Sequence, residues 1–109
     1  MKALSIKEPY ASMLLSEEKT IETRTWKTDY RGDILLCASK KPESPISGHA
    51  FAIAELVFCR PMLELDEWQA CCEIYDGAYS WVFKNLRKIK PFPIKGQLGL
   101  FEVEYEYNE

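Results

Sequence analysis

The sequence predicts an α+β domain built on a small, mostly antiparallel β-barrel with two flanking helices. Its 109 residues, 47% hydrophobic and 28% charged, suffice for one globular domain over residues 1–109. Roughly six or seven short strand patterns accompany only two helical ones. These patterns do not alternate regularly as strand, helix and strand, which argues against a parallel α/β sheet.

The first half of the chain predicts three strands and one helix. Residues 4–6 form a short apolar strand, and Pro9 then opens a helix over residues 9–18, because the first helical turn does not use the N–H that proline lacks. Residues 20–26 are rich in threonine with isoleucine and tryptophan, which favours a strand. Residues 34–38 are entirely apolar and predict a buried strand.

The middle of the chain predicts a central strand and the second helix. After an exposed loop over residues 39–48, residues 51–59 form a long strand that ends before Pro61. Leu65, Trp68 and Cys72 recur at helical spacing, which predicts a helix over residues 65–74.

The last third predicts strands at residues 79–83, 87–92 and 98–107. In the final strand apolar and acidic residues alternate strictly. Side chains of a strand alternate between its two faces, so this pattern predicts one buried face and one solvated face. The residues expected to be buried are Phe101, Val103, Tyr105 and Tyr107.

The charge of the chain is acidic overall but unevenly distributed. The formal net charge is −3, whereas a protein that holds a long duplex electrostatically is usually basic. Residues 84–95 nevertheless form a basic strip without an acidic residue: Lys84, Arg87, Lys88, Lys90 and Lys95. This strip suits phosphate contacts, although lysines also protect strand edges from pairing with other chains, and both interpretations stay open.

Composition and spacing favour a cytoplasmic protein without metal or other cofactors. No apolar run approaches the roughly 18 residues that cross a bilayer, and the first residues become charged too early for a signal peptide. The four cysteines lack the spacing of zinc ligands, and His49 is the single histidine. Reduced thiols are therefore expected.

The densest polar group in the sequence is Lys19-x-x-Glu22-x-Arg24. On a strand, Glu22, Arg24 and Trp26 share one face. In a cleft, they would offer a carboxylate, a planar guanidinium and an aromatic ring, which suits a nucleobase. On an exposed surface the same charges would form only a weak ion pair, and Trp26 would be an ordinary core or rim residue. The spacing alone favours this second interpretation.

Motifs for catalysis are hard to find. The sequence has no Gly-rich phosphate loop and no G-x-S-x-G, and His49 has no evident triad partner. Cys71 and Cys72 fall in the second predicted helix, where buried thiols would be unreactive. Any catalysis would have to use a lysine activated by burial, assisted by a carboxylate.

An ordered set of segments resembles the ASCH domain family. The first are residues 4–11, 18–26, 30–32 and 38–40, and further matches follow at Trp81, Asn85, Arg87, Pro91, Pro93, 95–96 and 99–101. The family signature is G-x-K-x-x-E-x-R, which Lys19, Glu22 and Arg24 match. Glu17 replaces its glycine, so a backbone with positive φ would be strained there.

This resemblance implies a PUA-like barrel with a cleft beside the first helix. The family is thought to bind RNA or nucleotide-like ligands, so the cleft is expected to hold a nucleobase, a nucleotide or single-stranded RNA, with Arg24 and Lys19 on anionic or carbonyl groups and Glu22 on an exocyclic amine. Splayed bases suit such a cleft better than a duplex. The expected ligand-binding residues are Lys7, Lys19, Glu22, Arg24, Trp26, Ser39 and Lys40.

One branch of the family implies an alternative function. This branch is an amidohydrolase that acts on acetylated cytidine, and it is similar to this chain at Lys19 and Arg24. It has threonine in place of Glu22, and that hydroxyl, a lysine and a later glutamate are thought to carry the chemistry. Here Lys19, Glu22 and Glu73 would be catalytic, with Thr20 as the nearest replacement hydroxyl, but a carboxylate does not simply replace a neutral nucleophile.

Overall fold

A computed structural model describes residues 1–108 and contains six strands and two α-helices. The strands are β1 (Lys2–Ile6), β2 (Ile21–Arg24), β3 (Gly32–Ala38), β4 (His49–Pro61), β5 (Tyr79–Pro93) and β6 (Leu100–Glu102). The helices are α1 (Tyr10–Leu15) and α2 (Glu67–Ala70), the latter preceded by a 3₁₀ turn at Glu64–Asp66. No helix among the described residues is long and apolar enough to cross a membrane.

The strands form one curled sheet in the order β2-β5-β4-β3-β1-β6. Only the β1–β3 pair is parallel among these neighbours, and the other pairs are antiparallel. The pairing of β4 with β5 contains three register shifts, and such bulges bend a strand and increase its twist. The predicted fold class, a small and mostly antiparallel barrel-type sheet with two helices, is confirmed.

Both faces of the central strands are buried. Leu4, Leu36 and Trp81 belong to one apolar cluster, which α1 covers with Ala11 and Leu14. The other face carries a second cluster built on residues such as Leu35, Cys37, Ile53 and Phe101. Burial on both faces explains why residues 34–38 contain no polar side chain, and it raises the pKa of the Cys37 thiol to about 12.

The turn after α1 places the following strand. Glu17 has φ of 64°. The residue that replaces the glycine of the signature therefore adopts the left-handed conformation, which costs a non-glycine residue roughly 1–2 kcal/mol. The turn brings the Lys19 backbone N–H to the Met13 carbonyl at 3.1 Å. The entry into β2 is thereby fixed against the end of α1.

The second predicted helix is wrong in length. The α-helix ends at Ala70, because Cys71 has φ of 57° and turns the chain away. Leu65 and Trp68, whose spacing predicted the helix, are 76% and 89% exposed. The residues that anchor this segment are Asp66, which is 1% exposed, and Ala70, which is fully buried in an apolar cluster with Ile21.

Asp66 is the centre of a buried hydrogen-bond cluster. Its carboxylate accepts two bonds from the Arg60 guanidinium, at 2.6 and 2.9 Å, and further bonds from the Leu63 backbone N–H and the Ser80 hydroxyl, each at 2.9 Å. The Arg60 guanidinium, together with these other donors, holds the pKa of Asp66 well below its usual range. The cluster ties the segment containing α2 to β4 and β5.

The strands at the end of the chain differ from the prediction in extent. Residues 79–83 and 87–92 belong to one continuous strand, β5, in which Asn85 has φ of 54°. The last strand is limited to Leu100–Glu102. Its predicted alternation is nevertheless confirmed, because Val103, Tyr105 and Tyr107 pack against the second apolar cluster without forming a strand.

Candidate functional site

A cleft of about 590 Å³ opens beside α1, between the end of β1 and β2. β2 is one edge of the sheet, and β1 lies next to the other edge. β6 pairs with β1 only from Lys2 to Leu4, so Ser5 is left free on that side. The Arg24 Nη2 donates to the Ser5 carbonyl at 2.8 Å. The cleft is therefore the seam where the curled sheet closes on itself.

Lys19 lies at the base of this cleft and is only 2% exposed. Its Nζ donates to the Ala70 carbonyl, lies 3.3 Å from the Glu22 Oε1 and lies 4.8 Å from the centroid of the Tyr10 ring. An ammonium has three N–H donors, and these contacts lie on three different elements. Lys19 consequently joins β2, α1 and the end of α2 at one point.

Glu22 connects Lys19 to Arg24. Its Oε1 faces Lys19 and accepts the Thr23 backbone N–H at 3.2 Å, and its Oε2 accepts a bond from the Arg24 Nη2 at 2.9 Å. We call Lys19, Glu22 and Arg24 the ion triad. It contains two cations and one carboxylate, so its formal charge is positive. Glu22 is 6% exposed, and the cleft reaches the triad mainly through Arg24.

Arg24 is the most accessible member of the ion triad. Its side chain is 23% exposed, against 8% for Glu22. Both of its hydrogen bonds use Nη2. Within residues 1–108, Nε and Nη1 donate to no protein atom. A guanidinium held at one nitrogen and open at two others is ready to bind a ligand with two neighbouring acceptors.

The wall opposite α1 comes from the segment after α2. The Tyr75 hydroxyl donates to the Thr23 Oγ1 at 2.9 Å, and the Cys72 Sγ lies 3.8 Å from the same oxygen. Cys72, predicted inside a helix, lies instead beyond the helix end and lines the cleft. Gln97 and Leu98 complete the rim, and Leu98 is 99% exposed.

Five of the predicted ligand-binding residues line this cleft: Lys7, Lys19, Glu22, Arg24 and Ser39. Lys40 lines an adjoining pocket. Trp26 lines neither, because it packs edge-on against Trp81 with ring centroids 4.8 Å apart. Sequence patterns did not indicate Thr23, Cys72 or Tyr75, whose only local signal is a hydroxyl, thiol or aromatic side chain beside a turn or strand end.

The residues proposed for the alternative chemistry are not all brought together. Lys19 and Glu22 lie in the cleft, whereas Glu73 lies with Glu67 and Trp68 in a separate surface depression. Thr20 lines a third recess, on the side of Phe83. The cleft therefore contains neither the later glutamate nor the replacement hydroxyl. Among the described residues no group of three or more potential metal ligands is assembled.

The curled sheet with a cleft at its seam matches the PUA-like fold of small barrels. Two crystal structures of ASCH from Zymomonas mobilis have this fold. One matches with a TM-score of 0.72 and 14% identity, over 94% of this chain and 87% of that chain. The other, of a mutant of that bacterial protein with one tyrosine replaced by phenylalanine, matches with a TM-score of 0.69 and 12% identity, over 94% of this chain and 89% of that chain.

The sequence comparison identifies the family of the chain, which the fold alone does not. A model of the ASCH domain matches residues 4–93, and the chain belongs to the ASCH domain family. Activating signal cointegrator 1 of Homo sapiens is 23% identical over 132 aligned positions, which cover 97% of this chain and 23% of that protein. The chain thus spans about a quarter of the length of that relative. Membership of the family supports nucleic-acid binding in general terms.

Proposed function

We propose that the cleft binds a nucleobase or nucleotide of single-stranded RNA and that Arg24 is its main contact. The observation that carries this proposal is the ion triad, which holds one guanidinium with two nitrogens open to a cleft. A buried ion pair is a poor means of stabilising a fold, since apolar residues of similar volume often do as well. Because this ion pair lies below a cleft, we assign it a different role, which is to orient Arg24.

The contacts of the ion triad favour other roles for its members than the sequence suggested. Lys19 and Glu22 were expected to contact the ligand directly, but their charged atoms are already bound to protein groups. We therefore assign ligand contact to Arg24 and positioning to the other two residues. A guanidinium fork matches two neighbouring acceptors on a base edge or a phosphate.

The aromatic contact that a base requires is assigned to Tyr75 rather than Trp26. Tyr75 lines the cleft and is 39% exposed, whereas Trp26 is packed against Trp81. Stacking of a base on an aromatic ring contributes roughly 1–3 kcal/mol. A recess of this kind admits a base that has left its stack, which favours single-stranded RNA over a duplex.

Replacing Arg24 with alanine is expected to weaken RNA binding by about 5- to 150-fold, the equivalent of roughly 1–3 kcal/mol for a bidentate contact. The probe is a fluorescein-labelled, random-sequence RNA octamer, and the measurement is fluorescence anisotropy. Arg24→Lys keeps the charge but loses the planar fork, so an intermediate affinity is expected.

Arg31→Ala is the matched control for this experiment. Arg31 is exposed and bonds to the Thr28 and Tyr30 carbonyls away from the cleft, and its replacement removes the same charge. Equal losses of RNA affinity in the Arg24 and Arg31 variants would show that the effect comes from net charge and that Arg24 does not contact the RNA.

The alternative function, an amidohydrolase for acylated cytidine-type nucleosides, has less support. The Lys19 Nζ is directed at Ala70, Glu22 and the Tyr10 ring, whereas a general base needs its lone pair directed at the substrate. We therefore expect no acetate when the protein is incubated with acetylated cytidine. Acetate release that disappears in a folded Lys19→Met variant would establish the enzyme instead.

A further inference from the structure

We infer that the RNA bound in the cleft continues into a second pocket, where Lys40 and Lys95 bind a phosphate of the neighbouring nucleotide; this inference rests on the proposed function. The second pocket has a volume of about 820 Å³ and adjoins the cleft. The two recesses share four lining residues: Ser5, Ser39, Gln97 and Leu98. Together they form one continuous surface path, which we call the groove.

The size of the groove suits more than one nucleotide. Pockets of roughly 300–1,000 Å³ each enclose one small-molecule ligand, and both recesses fall within this range at about 590 and 820 Å³. Two such recesses in series fit consecutive units of a linear polymer. A free nucleoside would occupy the first recess and leave the second without a function.

The charge of the second pocket indicates a phosphate. Lys40 and Lys95 line it and are both exposed, and its lining residues include no carboxylate. Within residues 1–108 neither lysine has a carboxylate partner within 4 Å, whereas the nearby Lys41 lies 3.8 Å from Glu43. Two unpaired cations that line one pocket, in a protein of net charge −3, create a local site for an anion.

Most residues of the basic strip lie outside the groove. Arg87 is engaged by Asp33, at 2.5 and 3.0 Å, and Lys84 lies opposite Glu55 on the neighbouring strand. Lys88 and Lys90 line neither recess of the groove. Of the strip, only Lys95 lines the groove, so the second phosphate site consists of this lysine and Lys40.

The junction between the recesses contains an unsatisfied polar atom. The Ser5 hydroxyl oxygen is buried and has no hydrogen-bond partner within residues 1–108. A Cβ on Gly96 would lie 2.6 Å from this oxygen, so glycine is what allows the loop to pass over it. A buried hydroxyl without a partner is costly, so the fold accepts a local cost at the point where this loop crosses the groove.

The test compares the salt dependence of binding of the same RNA octamer by two double variants. Lys40→Gln with Lys95→Gln removes the two cations of the second pocket, and Lys88→Gln with Lys90→Gln removes the same charge outside the groove. Each phosphate contact contributes about −0.7 to the slope of log K against log salt for single strands. We expect the slope to become shallower by about 0.7 in the first variant, the value for one phosphate contact, and to stay near the wild-type value in the second.

The outcomes distinguish this inference from the function on which it rests. Equal slopes in the two double variants, with binding still reduced by Arg24→Ala, would overturn the second phosphate site and leave the cleft as the binding site. Loss of the Arg24→Ala effect, or no binding of the octamer by the wild-type chain, would overturn both. A shallower slope in the Lys40 and Lys95 variant alone supports the groove.

Discussion

Replacing Glu22 with alanine is expected to lower the free energy of unfolding by roughly 3–5 kcal/mol, because it leaves the charge of a buried lysine uncompensated. Lys19 would keep only the Ala70 carbonyl and the Tyr10 ring as partners. Total stabilities of small domains are about 5–15 kcal/mol, so this single change removes much of the margin. Urea unfolding followed by tryptophan fluorescence measures it.

Two companion variants separate the ion triad from general effects of charge. Glu43→Ala breaks the exposed pair with Lys41, whose side chains are both 82% exposed, and should change stability by less than about 1 kcal/mol. The double variant Lys19→Met, Glu22→Leu replaces both buried ions by apolar groups and should recover most of the loss. A Glu22→Ala variant as stable as Glu43→Ala would contradict the buried triad.

The same double variant tests whether Lys19 and Glu22 act by positioning Arg24. With the fold retained but Arg24 no longer held by a carboxylate, affinity for the RNA octamer should fall toward that of Arg24→Ala. Wild-type affinity in this variant would show that the orientation of Arg24 does not depend on Glu22.

Replacing Asp66 with asparagine is the second change with a large expected effect, a loss of roughly 2–3 kcal/mol at neutral pH. The loss is moderated because the side chain of its partner Arg60 is 37% exposed. The effect should depend on pH, because Arg60 and the other donors lower the pKa of Asp66 in the folded protein. Acid therefore protonates the unfolded state first, which removes the wild-type advantage as pH falls.

The pH dependence gives this prediction its control. The difference in unfolding free energy between wild type and Asp66→Asn should be constant above about pH 5 and should shrink as pH falls below the ordinary pKa of aspartate near 4. Glu8, Asp33 and Glu102 also have lowered pKa values, and the comparison of two proteins that share them cancels their contribution. An identical difference at pH 7 and pH 3 would rule out this role for Asp66.

The strands were the most predictable part of the fold, because their patterns reflect local burial. Residues 34–38 are buried on both faces, and the alternation of Phe101 to Tyr107 reflects one apolar face, as the sequence indicates. The second helix was not predictable in this way. Its anchor, Asp66, is a carboxylate whose partners Arg60 and Ser80 lie on two strands, and hydrophobic periodicity contains no information about such contacts.

The candidate site was predictable in its residue types but not in its geometry. The spacing of Lys19, Glu22 and Arg24 can be read from the sequence, but the direction of Lys19 depends on the Ala70 carbonyl, 51 residues away. Tyr75 reaches the cleft through a hydrogen bond to Thr23 across 52 residues. The aromatic residue favoured by the sequence, Trp26, lies beyond the end of β2 at Arg24 and packs against Trp81.

The most direct test of the central claim, that Arg24 presents its free nitrogens to RNA in the cleft, is a titration of ¹⁵N-labelled protein with the RNA octamer, followed by two-dimensional NMR. We expect the Arg24 Nε–H resonance and the backbone amides of Lys7, Ser39 and Tyr75 to shift with the same saturation curve. Shifts confined to the exposed surface around Trp68, or to Lys88 and Lys90, with the Arg24 resonance unchanged, would contradict it.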